Sequence, residues 1–332
     1  MSRLINDPDT FVDETLAGIL AAHGDVLRAT EDPRALVRTA CPIDAKLGIV
    51  TGGGSGHLPL FLGYVGDGLT DGVAVGNVFS SPSAETILQA TRAVDAGRGV
   101  LYLFGNYGGD VMNFDLAGEL AAEEGITTAR VLGTDDVASA PKDRREDRRG
   151  IAGIFFLYKV AGAAARAGAS LQETTELARH AGTRVGTMSV GLAPCILPAA
   201  GEPTFELADD EMEIGVGIHG EPGVSKGPLE PADAVARRLI EAVVEDLGIA
   251  REEDVAVLVN GLGATPPEEL YILYRHVHAL LNESGIRVRR TYVGEFATSL
   301  EMAGASVSVM ALDHELRPLL EEPAHSPFFA QP

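Results

Sequence analysis

The chain has 332 residues, a length that accommodates two domains of ordinary size. Hydrophobic residues make up 45% and charged residues 22%, a composition typical of a globular α/β protein rather than a disordered one. The formal net charge of -22 argues against nucleic acid or an anionic membrane as a partner, because both would repel so acidic a surface.

Targeting and redox signals are few. Cys41 and Cys195 give neither a disulfide framework nor a zinc-binding spacing. Residues 1–8 lack the apolar run of a signal peptide. The most apolar segment, 151–167, is interrupted by Lys159 and Gly162, so it is read as a buried helix rather than a membrane span. We therefore expect a cytoplasmic protein with no membrane partner.

The first half alternates strand and helix patterns. Its strands lack the inside/outside alternation of half-exposed strands, which is typical of a parallel sheet buried on both faces. The predicted strands are 47–51, 72–75, 100–104 and 128–132, and the predicted helices are 83–96, 111–124, 151–167 and 170–181. The polar segment 134–149 between them is predicted to be an exposed loop, because its charges of mixed sign indicate a solvated surface rather than a phosphate cradle.

A glycine-rich strand pattern begins a second domain at about Arg184. The predicted strands there are 185–191, 213–218, 255–260, 288–293 and 306–311, and the predicted helices are 231–247 and 267–283. The sequence therefore predicts a two-domain α/β fold with parallel or mixed sheets and helices on both faces. We place the domains at residues 1–183 and 184–332, with the C-terminal tail able to pack back on the first domain.

A glycine loop, TGGGSGH at 51–57, follows the first strand of this sheet. It fits neither the dinucleotide fingerprint nor the phosphate loop of nucleotide-binding proteins, since the required glycine, lysine and hydroxyl positions are missing. His57 at its end is expected at the carboxyl edge of the sheet, where ligands bind in such folds. The loop can also offer backbone N–H groups to hydroxyl or carbonyl oxygens.

Two further strands end in polar residues. Ser81 follows the second strand and can supply a hydroxyl contact, and Asp110 follows the third. A carboxylate there can accept a proton from a substrate hydroxyl, but Asp110 is equally well explained as the cap of a helix that starts at Val111. Because consecutive parallel strands end at one sheet edge, His57, Ser81 and Asp110 are expected to converge.

The segment GVGIHGEPG at 215–223 frames His219 with glycines. Such a histidine is expected at an exposed strand end, where a neutral imidazole nitrogen can attack a carbonyl carbon. A tight turn whose histidine merely caps a strand is the simpler interpretation of this motif alone. Glu221 could orient the imidazole ring, or it could belong to the turn.

Together these motifs resemble one family. The chain resembles the ketose-binding subunit of dihydroxyacetone kinase, and the likeness runs nearly end to end. The segments that carry it are 4–7 (LIND), 52–57 (GGGSGH), 106–110 (NYGGD), 149–153 (RGIAG), 198–201 (PAAG), 208–213 (ADDEME), 217–223 (GIHGEPG) and 290–294 (RTYVG).

The resemblance implies a role for each candidate residue. It implies that His219 binds the substrate carbonyl covalently as a hemiaminal. It implies that Asp110 and His57 hydrogen-bond the hydroxyl to be phosphorylated and assist its deprotonation. The remaining contacts to substrate would come from the glycine loop and the second strand end: Gly53, Gly54 and Ser81.

The resemblance also implies partners. The nucleotide, ATP or ADP with Mg²⁺, is expected on a separate kinase subunit, so this chain itself would bind no cofactor. A homodimer is expected by the same analogy. The phosphoryl donor, ATP or a phosphotransferase relay, stays open, and a ketose-sensing coactivator without kinase activity is the alternative function.

Three positions depart from the family pattern: Leu58 stands where members commonly have Glu, Gly105 where they have Lys, and Tyr158 where many have His. Leu58 and Gly105 flank the candidate catalytic residues, so dihydroxyacetone and a longer ketose such as erythrulose both stay open as substrates. No metal site is proposed, because the remaining histidines show no ligand spacing.

Overall fold

The structure is a computed structural model that describes residues 3–332, so residues 1 and 2 of the predicted N-terminal segment lie outside it. The helices are α1 (Phe11–His23), α2 (Ala84–Val94), α3 (Gly108–Glu123), α4 (Ile154–Arg166), α5 (Leu171–Thr183), α6 (Ala232–Leu247), α7 (Pro267–Glu283) and α8 (Leu316–Glu321). Short 3-10 turns occur at Pro8–Thr10, Leu62–Tyr64 and Lys142–Asp147.

Strands alternate with these helices along much of the chain. The strands are β1 (Leu27–Ala29), β2 (Ala35–Arg38), β3 (Gly48–Ser55), β4 (Gly72–Val78), β5 (Val100–Gly105), β6 (Thr128–Gly133), β7 (Val185–Ala193), β8 (Glu211–Ile214), β9 (Ser225–Pro228), β10 (Asp254–Gly261), β11 (Arg287–Gly294), β12 (Ala303–Leu312), β13 (Ala324–Ser326) and β14 (Phe329–Gln331).

The chain forms two compact units. The first consists of residues 3–132, 157–180 and 318–332, and the second of residues 133–156 and 181–317. These units differ from the predicted domains in the segments 133–156, 181–183 and 318–332. The domain boundary between residues 183 and 184 stays a prediction, because compactness alone does not show which segments fold independently.

The first unit contains a six-stranded sheet in the order β1-β2-β4-β3-β5-β6. Strand β3 pairs in parallel with β4 on one side and with β5 on the other, whereas β2 runs antiparallel to β4. Residues of β5 are buried along its whole length, as its unbroken apolar run predicts. The three strands that precede His57, Ser81 and Asp110 are therefore adjacent and parallel.

The second unit contains another six-stranded sheet, in the order β11-β10-β12-β7-β8-β9. Only β10 and β11 pair in parallel, and the pairs from β10 through β12, β7, β8 and β9 are antiparallel. Helices α6 and α7 bury their apolar stripes against this sheet, with Leu239 and Val277 in a core that includes Val257. The predicted α/β class with mixed sheets is confirmed.

Two local predictions are wrong. The segment 134–149 is not an exposed loop throughout, because Asp135, Asp136 and Arg148 are each at most 2% exposed. The predicted strand 213–218 ends earlier, at Ile214, and the chain then turns. Buried polar residues account for the first difference, and the positive φ of Gly215, 84°, accounts for the second.

The C-terminal residues form a small hairpin, β13 with β14, in the first unit. The Ser326 hydroxyl donates to the Gly63 carbonyl at 2.6 Å, and His325 N donates to the Asp67 carbonyl at 2.8 Å. Fully buried Lys159 donates through Nζ to the Glu322 carbonyl at 2.5 Å. The hairpin thus holds the segment that follows the glycine loop.

No helix within residues 3–332 combines the length and apolar character that crossing a membrane requires.

Candidate functional site

Close packing explains the glycines at the end of β3. A Cβ on Gly54 would lie 2.6 Å from Ser80 N and 2.8 Å from Phe79 Cα, and a Cβ on Gly53 would lie 2.3 Å from the Phe61 ring. Such distances are far inside van der Waals contact, so any side chain would push these neighbours away. Residues 52–55, predicted to lie in a loop after the strand, are instead the end of β3, and their missing side chains let the segment after β4 pack against that strand.

His57 lies just beyond β3 and is 1% exposed. Its imidazole stacks on the Phe79 ring, with centroids 4.8 Å apart and planes at 14°, and meets the edge of Phe61 at 6.1 Å. Both phenylalanines have positive φ angles, 64° for Phe61 and 55° for Phe79, a conformation that L side chains avoid. Strained backbone of this kind tends to occur at functional sites. Neither ring contact is visible in the sequence pattern.

Ser81, just beyond β4, is held by helix α3. Asn113 Nδ2 donates to Ser81 Oγ at 3.1 Å and to the Pro82 carbonyl at 2.8 Å. A Cβ on Gly109 would lie 3.3 Å from Ser81 Cβ, so the start of α3 packs directly on the serine. Asn113 is a site residue that the sequence analysis missed; its place one helical turn after Asp110 was the available signal.

Asp110 lies in the first turn of α3 and is 7% exposed. The helix begins at Gly108 with Tyr107 as its N-cap, so the interpretation of Asp110 as the cap of a helix starting at Val111 is wrong. The positive end of the helix dipole stabilises a carboxylate at this position. The structure thus places Asp110, His57 and Ser81 at the carboxyl ends of three adjacent parallel strands.

Tyr158 contacts the strand that leads into the glycine loop. Its hydroxyl lies 2.7 Å from Thr51 Oγ1, its ring centroid is 5.4 Å from that of Tyr64, and it is fully buried. Burial raises the pKa of the Tyr64 phenol well above its usual range, and the neighbouring Tyr158 adds to the shift. The tyrosine that stands at 158 in place of the histidine of many family members therefore packs against β3.

In the second unit, a tight loop follows β8 and carries His219. Gly215 and Gly220 have φ angles of 84° and 82°, which only glycine adopts easily. A Cβ on Gly217 would lie 2.0 Å from Glu221 Oε2, so that glycine makes room for a carboxylate. His219 belongs to this turn rather than to a strand end, and its side chain is 24% exposed.

Glu221 contacts His219 twice. Its Oε1 lies 3.0 Å from His219 Nδ1, and its Oε2 accepts from the His219 backbone N–H at 3.0 Å. A carboxylate accepts only, so in the neutral ring Nδ1 carries the proton and Nε2 keeps its lone pair. Burial opposes the ionised carboxylate, but the His219 hydrogen bond and the charges of His219 and Arg149 outweigh it and lower the Glu221 pKa to about 2. The orienting role suggested for Glu221 has the contact it requires.

An arginine lies behind this pair. Arg149 NH1 is 3.7 Å from Glu221 Oε2, and Arg149 Nε donates to Asp136 Oδ2 at 2.9 Å. Burial and the neighbouring Asp135 raise the pKa of Asp136 to about 7, although Arg149 opposes the shift. Sequence reasoning missed both residues because it assigned 134–149 to an exposed loop.

Among residues 3–332, no group of three or more histidine, cysteine, aspartate or glutamate side chains is arranged to hold a metal ion.

A family model described as the Dak1 domain matches residues 17–328, nearly the whole chain. The chain belongs to the Dak1 domain family. Within it, the chain is 44% identical over 330 residues to the PTS-dependent dihydroxyacetone kinase 2, dihydroxyacetone-binding subunit DhaK, of Listeria innocua, covering 99% of both chains. It is 42% identical to the D-erythrulose kinase of Mycolicibacterium smegmatis, covering 99% of this chain and 56% of that one.

Solved structures give the same picture of the Dak1 fold. The dihydroxyacetone kinase operon co-activator Dha-DhaQ superposes with a TM-score of 0.87 and 32% identity, covering 94% of this chain and 96% of that one. The family resemblance inferred from the motifs is confirmed.

Proposed function

We propose that this Dak1 chain is the ketose-binding subunit of a two-component kinase that phosphorylates a terminal hydroxyl of dihydroxyacetone or a similar ketose. The observation that carries the proposal is the hydrogen bond of 3.0 Å between His219 Nδ1 and Glu221 Oε1, because it fixes the imidazole as a nucleophile through Nε2. A merely structural turn has no need of that arrangement.

The covalent step forms one bond and moves one proton. The lone pair on His219 Nε2 attacks the ketose carbonyl carbon, and the C=O π electrons move onto oxygen, which takes a proton from solvent. The ring becomes an imidazolium that releases its Nδ1 proton to solvent, which balances the proton taken up by the oxygen, and Glu221 beside Nδ1–H stabilises the charged stage. The product is a hemiaminal. Glycerol has no carbonyl and would be rejected.

The first unit supplies the groups for hydroxyl activation in this proposal. Asp110 acts as the base that takes the hydroxyl proton, and His57 hydrogen-bonds the same hydroxyl. Backbone groups of Gly53 and Gly54 and the Ser81 hydroxyl hold the rest of the ketose. The fixed stack of His57 on Phe79 and the Asn113 bond to Ser81 support this assignment, because catalytic groups need locked orientations.

The phosphoryl donor is proposed to reside on a partner subunit, with ATP or ADP and Mg²⁺. In the glycine loop at 51–57, His57 and Leu58 follow the last glycine in place of the lysine and hydroxyl residue of a phosphate loop, which supports a nucleotide site outside this chain. This chain covers 56% of the D-erythrulose kinase relative, which therefore extends well beyond the matched part, in agreement with that division. Assembly as a homodimer stays a prediction.

Two ketoses remain in the proposal. Relatives named for dihydroxyacetone and for erythrulose are 44% and 42% identical to the chain, so overall identity does not separate them. We place dihydroxyacetone first. Erythrulose is a close second, because Leu58 and Gly105 remove charge beside the candidate catalytic residues and leave room for a longer substrate.

A ketose-sensing coactivator is the second candidate, and the likeness to the co-activator Dha-DhaQ is the observation that favours it. Sensing would need the covalent anchor but not an acid/base pair. The sequence contains Asp110 and His57 as well as His219, and the presence of all three favours the kinase subunit.

The deciding experiment is carbon-13 NMR of carbonyl-labelled dihydroxyacetone and erythrulose mixed with wild type or His219→Ala. The proposal expects the ketone signal to be replaced by that of a tetrahedral adduct with wild type alone. Persistence of the ketone with both sugars would reject covalent binding.

An assay with an added nucleotide-binding kinase subunit separates the two functions. For a kinase subunit, Asp110→Asn should keep the adduct and lose phosphoryl transfer. A coactivator would transfer nothing, either as wild type or as Asp110→Asn.

A further inference from the structure

The guanidinium of Arg149 lies between two carboxylates in the second unit. Its Nε and NH2 both lie 2.9 Å from Asp136 Oδ2, and its NH1 lies 3.7 Å from Glu221 Oε2. Glu221 in turn contacts His219 through Oε1. A continuous series of charged contacts therefore leads from Asp136 to the imidazole ring.

Arg149 is anchored independently of Glu221. Asp136 is fully buried, and its other oxygen accepts from Ala138 N at 3.1 Å. Backbone bonds fix the same pair, since Asp136 N donates to the Arg149 carbonyl at 3.0 Å and Arg149 N donates to Ser139 Oγ at 3.0 Å. The contacts to Asp136 and Ser139 thus hold the Arg149 guanidinium in place without any contribution from Glu221. The Arg149 side chain is 17% exposed.

The loop around His219 is shaped to admit this contact. A Cβ on Gly217 would lie 2.0 Å from Glu221 Oε2 and 2.8 Å from Arg149 NH1, so the missing side chain leaves the space that the ion pair occupies. Glu221 Oε2 faces the arginine and the His219 backbone N–H, which leaves Oε1 for the ring. The two carboxylate oxygens of Glu221 therefore have different partners.

We propose that Arg149, anchored on Asp136, is a positioning residue that orients Glu221 and so keeps His219 in the tautomer with the proton on Nδ1 and the lone pair on Nε2. The proposal deepens the proposed function, on which the use of that lone pair rests. Without Arg149 the carboxylate can rotate away, and the ring can take the other tautomer, whose Nε2 is protonated and cannot attack a carbonyl.

The test is nitrogen-15 NMR of the ring nitrogens in ketose-free protein labelled at histidine, with the His219 signals assigned by their loss in His219→Ala. Wild type should show Nδ1 protonated and Nε2 unprotonated. In Arg149→Met the two nitrogens should shift toward a mixture of tautomers. The dissociation constant of the carbonyl adduct should rise on the order of tenfold, the scale on which an outer partner of a functional histidine acts.

Arg148→Met is the matched control. Arg148 is the preceding residue, 1% exposed, and its guanidinium binds Asp246 at 2.7 and 2.8 Å rather than Glu221. Its loss should lower the unfolding temperature yet leave the His219 nitrogen shifts unchanged. Arg149→Lys keeps the charge but has one ammonium group, which cannot reach both carboxylates in the geometry of the fork, and it should give an intermediate tautomer mixture.

The outcomes are distinct. Wild-type nitrogen shifts in folded Arg149→Met or Arg149→Lys would overturn the positioning role, as would equal shifts in Arg148→Met. Should Arg149→Met fail to fold by circular dichroism, Arg149→Lys carries the decision. Failure of wild type to form any adduct would reject the covalent function instead, and the ketose-free spectra would still decide whether Arg149 sets the tautomer.

Discussion

The imidazole of His57 lies face to face on the ring of Phe79, with centroids 4.8 Å apart and planes at 14°. Phe79 holds this position at a φ of 55°, an unfavourable conformation for a residue with a side chain. The stack fixes the plane of the His57 ring, and with it the direction in which the ring can hydrogen-bond a substrate hydroxyl. Backbone strain at Phe79 is thus coupled to the orientation of a candidate catalytic group.

Phe79→Ala should lower kcat of the reconstituted kinase by about fivefold, the equivalent of losing an aromatic pair of roughly 1 kcal/mol. Alanine keeps the backbone strain, so the effect reports the loss of the ring. The carbonyl adduct at His219 should form as in wild type, measured by carbon-13 NMR. Phe79→Tyr keeps the ring and should retain activity; an unchanged kcat in Phe79→Ala would show that the stack does not orient His57.

The two glycines of neighbouring motifs should respond oppositely to alanine. In Gly54→Ala the new methyl would meet backbone atoms of Phe79 and Ser80 within 2.9 Å, so we expect a loss of stability of roughly 1–3 kcal/mol. Gly108, in the first turn of α3, has nothing within 4 Å of a built Cβ, and Gly108→Ala should be neutral or stabilising by about 0.5–1 kcal/mol. Thermal unfolding of both variants measures the difference; equal losses would contradict the packing explanation.

The sequence predicted the scaffold of the first unit well, because buried parallel strands have an unbroken apolar pattern that is hard to mistake. Strands β3, β4 and β5 begin within a residue of their predicted starts, at Gly48, Gly72 and Val100. Their adjacency could only be expected from topology, and the sheet order confirms it. The short antiparallel strands β1 and β2 were missed, since runs of three or four residues carry too little periodicity.

The candidate site was predictable where a residue's own motif marks it, and not where a role depends on distant partners. Glycine neighbours singled out His57 and His219. The contacts of Asn113, Phe79 and Arg149 depend on tertiary packing. The charge-rich composition around Arg149 predicted that this residue lies on a solvated surface. That prediction was wrong, because Asp136 beside Arg149 is fully buried. Buried and exposed ion pairs consist of the same residue types, so amino-acid composition does not distinguish them.

Tyr158 and Thr51 offer a double-mutant cycle beneath the glycine loop. Tyr158→Phe removes the hydroxyl that lies 2.7 Å from Thr51 Oγ1 and leaves a buried hydroxyl short of that partner, at a cost of about 1–3 kcal/mol. Thr51→Val should cost a similar amount. The double variant should cost clearly less than the sum, because both polar groups are then gone. Urea unfolding measures the three values, and strict additivity would mean that the hydroxyl contact contributes nothing.

Glu221 should make stability depend on pH in the acid range. Its pKa is lowered to about 2 in the folded protein, because the bond to His219 and the charges of His219 and Arg149 outweigh burial, whereas an unfolded glutamate titrates near 4.3. A carboxylate with a depressed folded pKa contributes stability that is fully present above the unfolded pKa and is lost as pH falls toward about 2.

Wild type should therefore exceed Glu221→Gln in unfolding free energy at about pH 5, and the excess should shrink by on the order of 2 kcal/mol as pH falls toward 2. Urea unfolding at several pH values between these limits measures it. Glu241→Gln is the control, because Glu241 is 61% exposed in an i,i+4 pair with Arg237, where ion pairs contribute little. A difference between wild type and Glu221→Gln that stays constant down to the lowest pH would show that the pair with His219 does not depress the glutamate pKa.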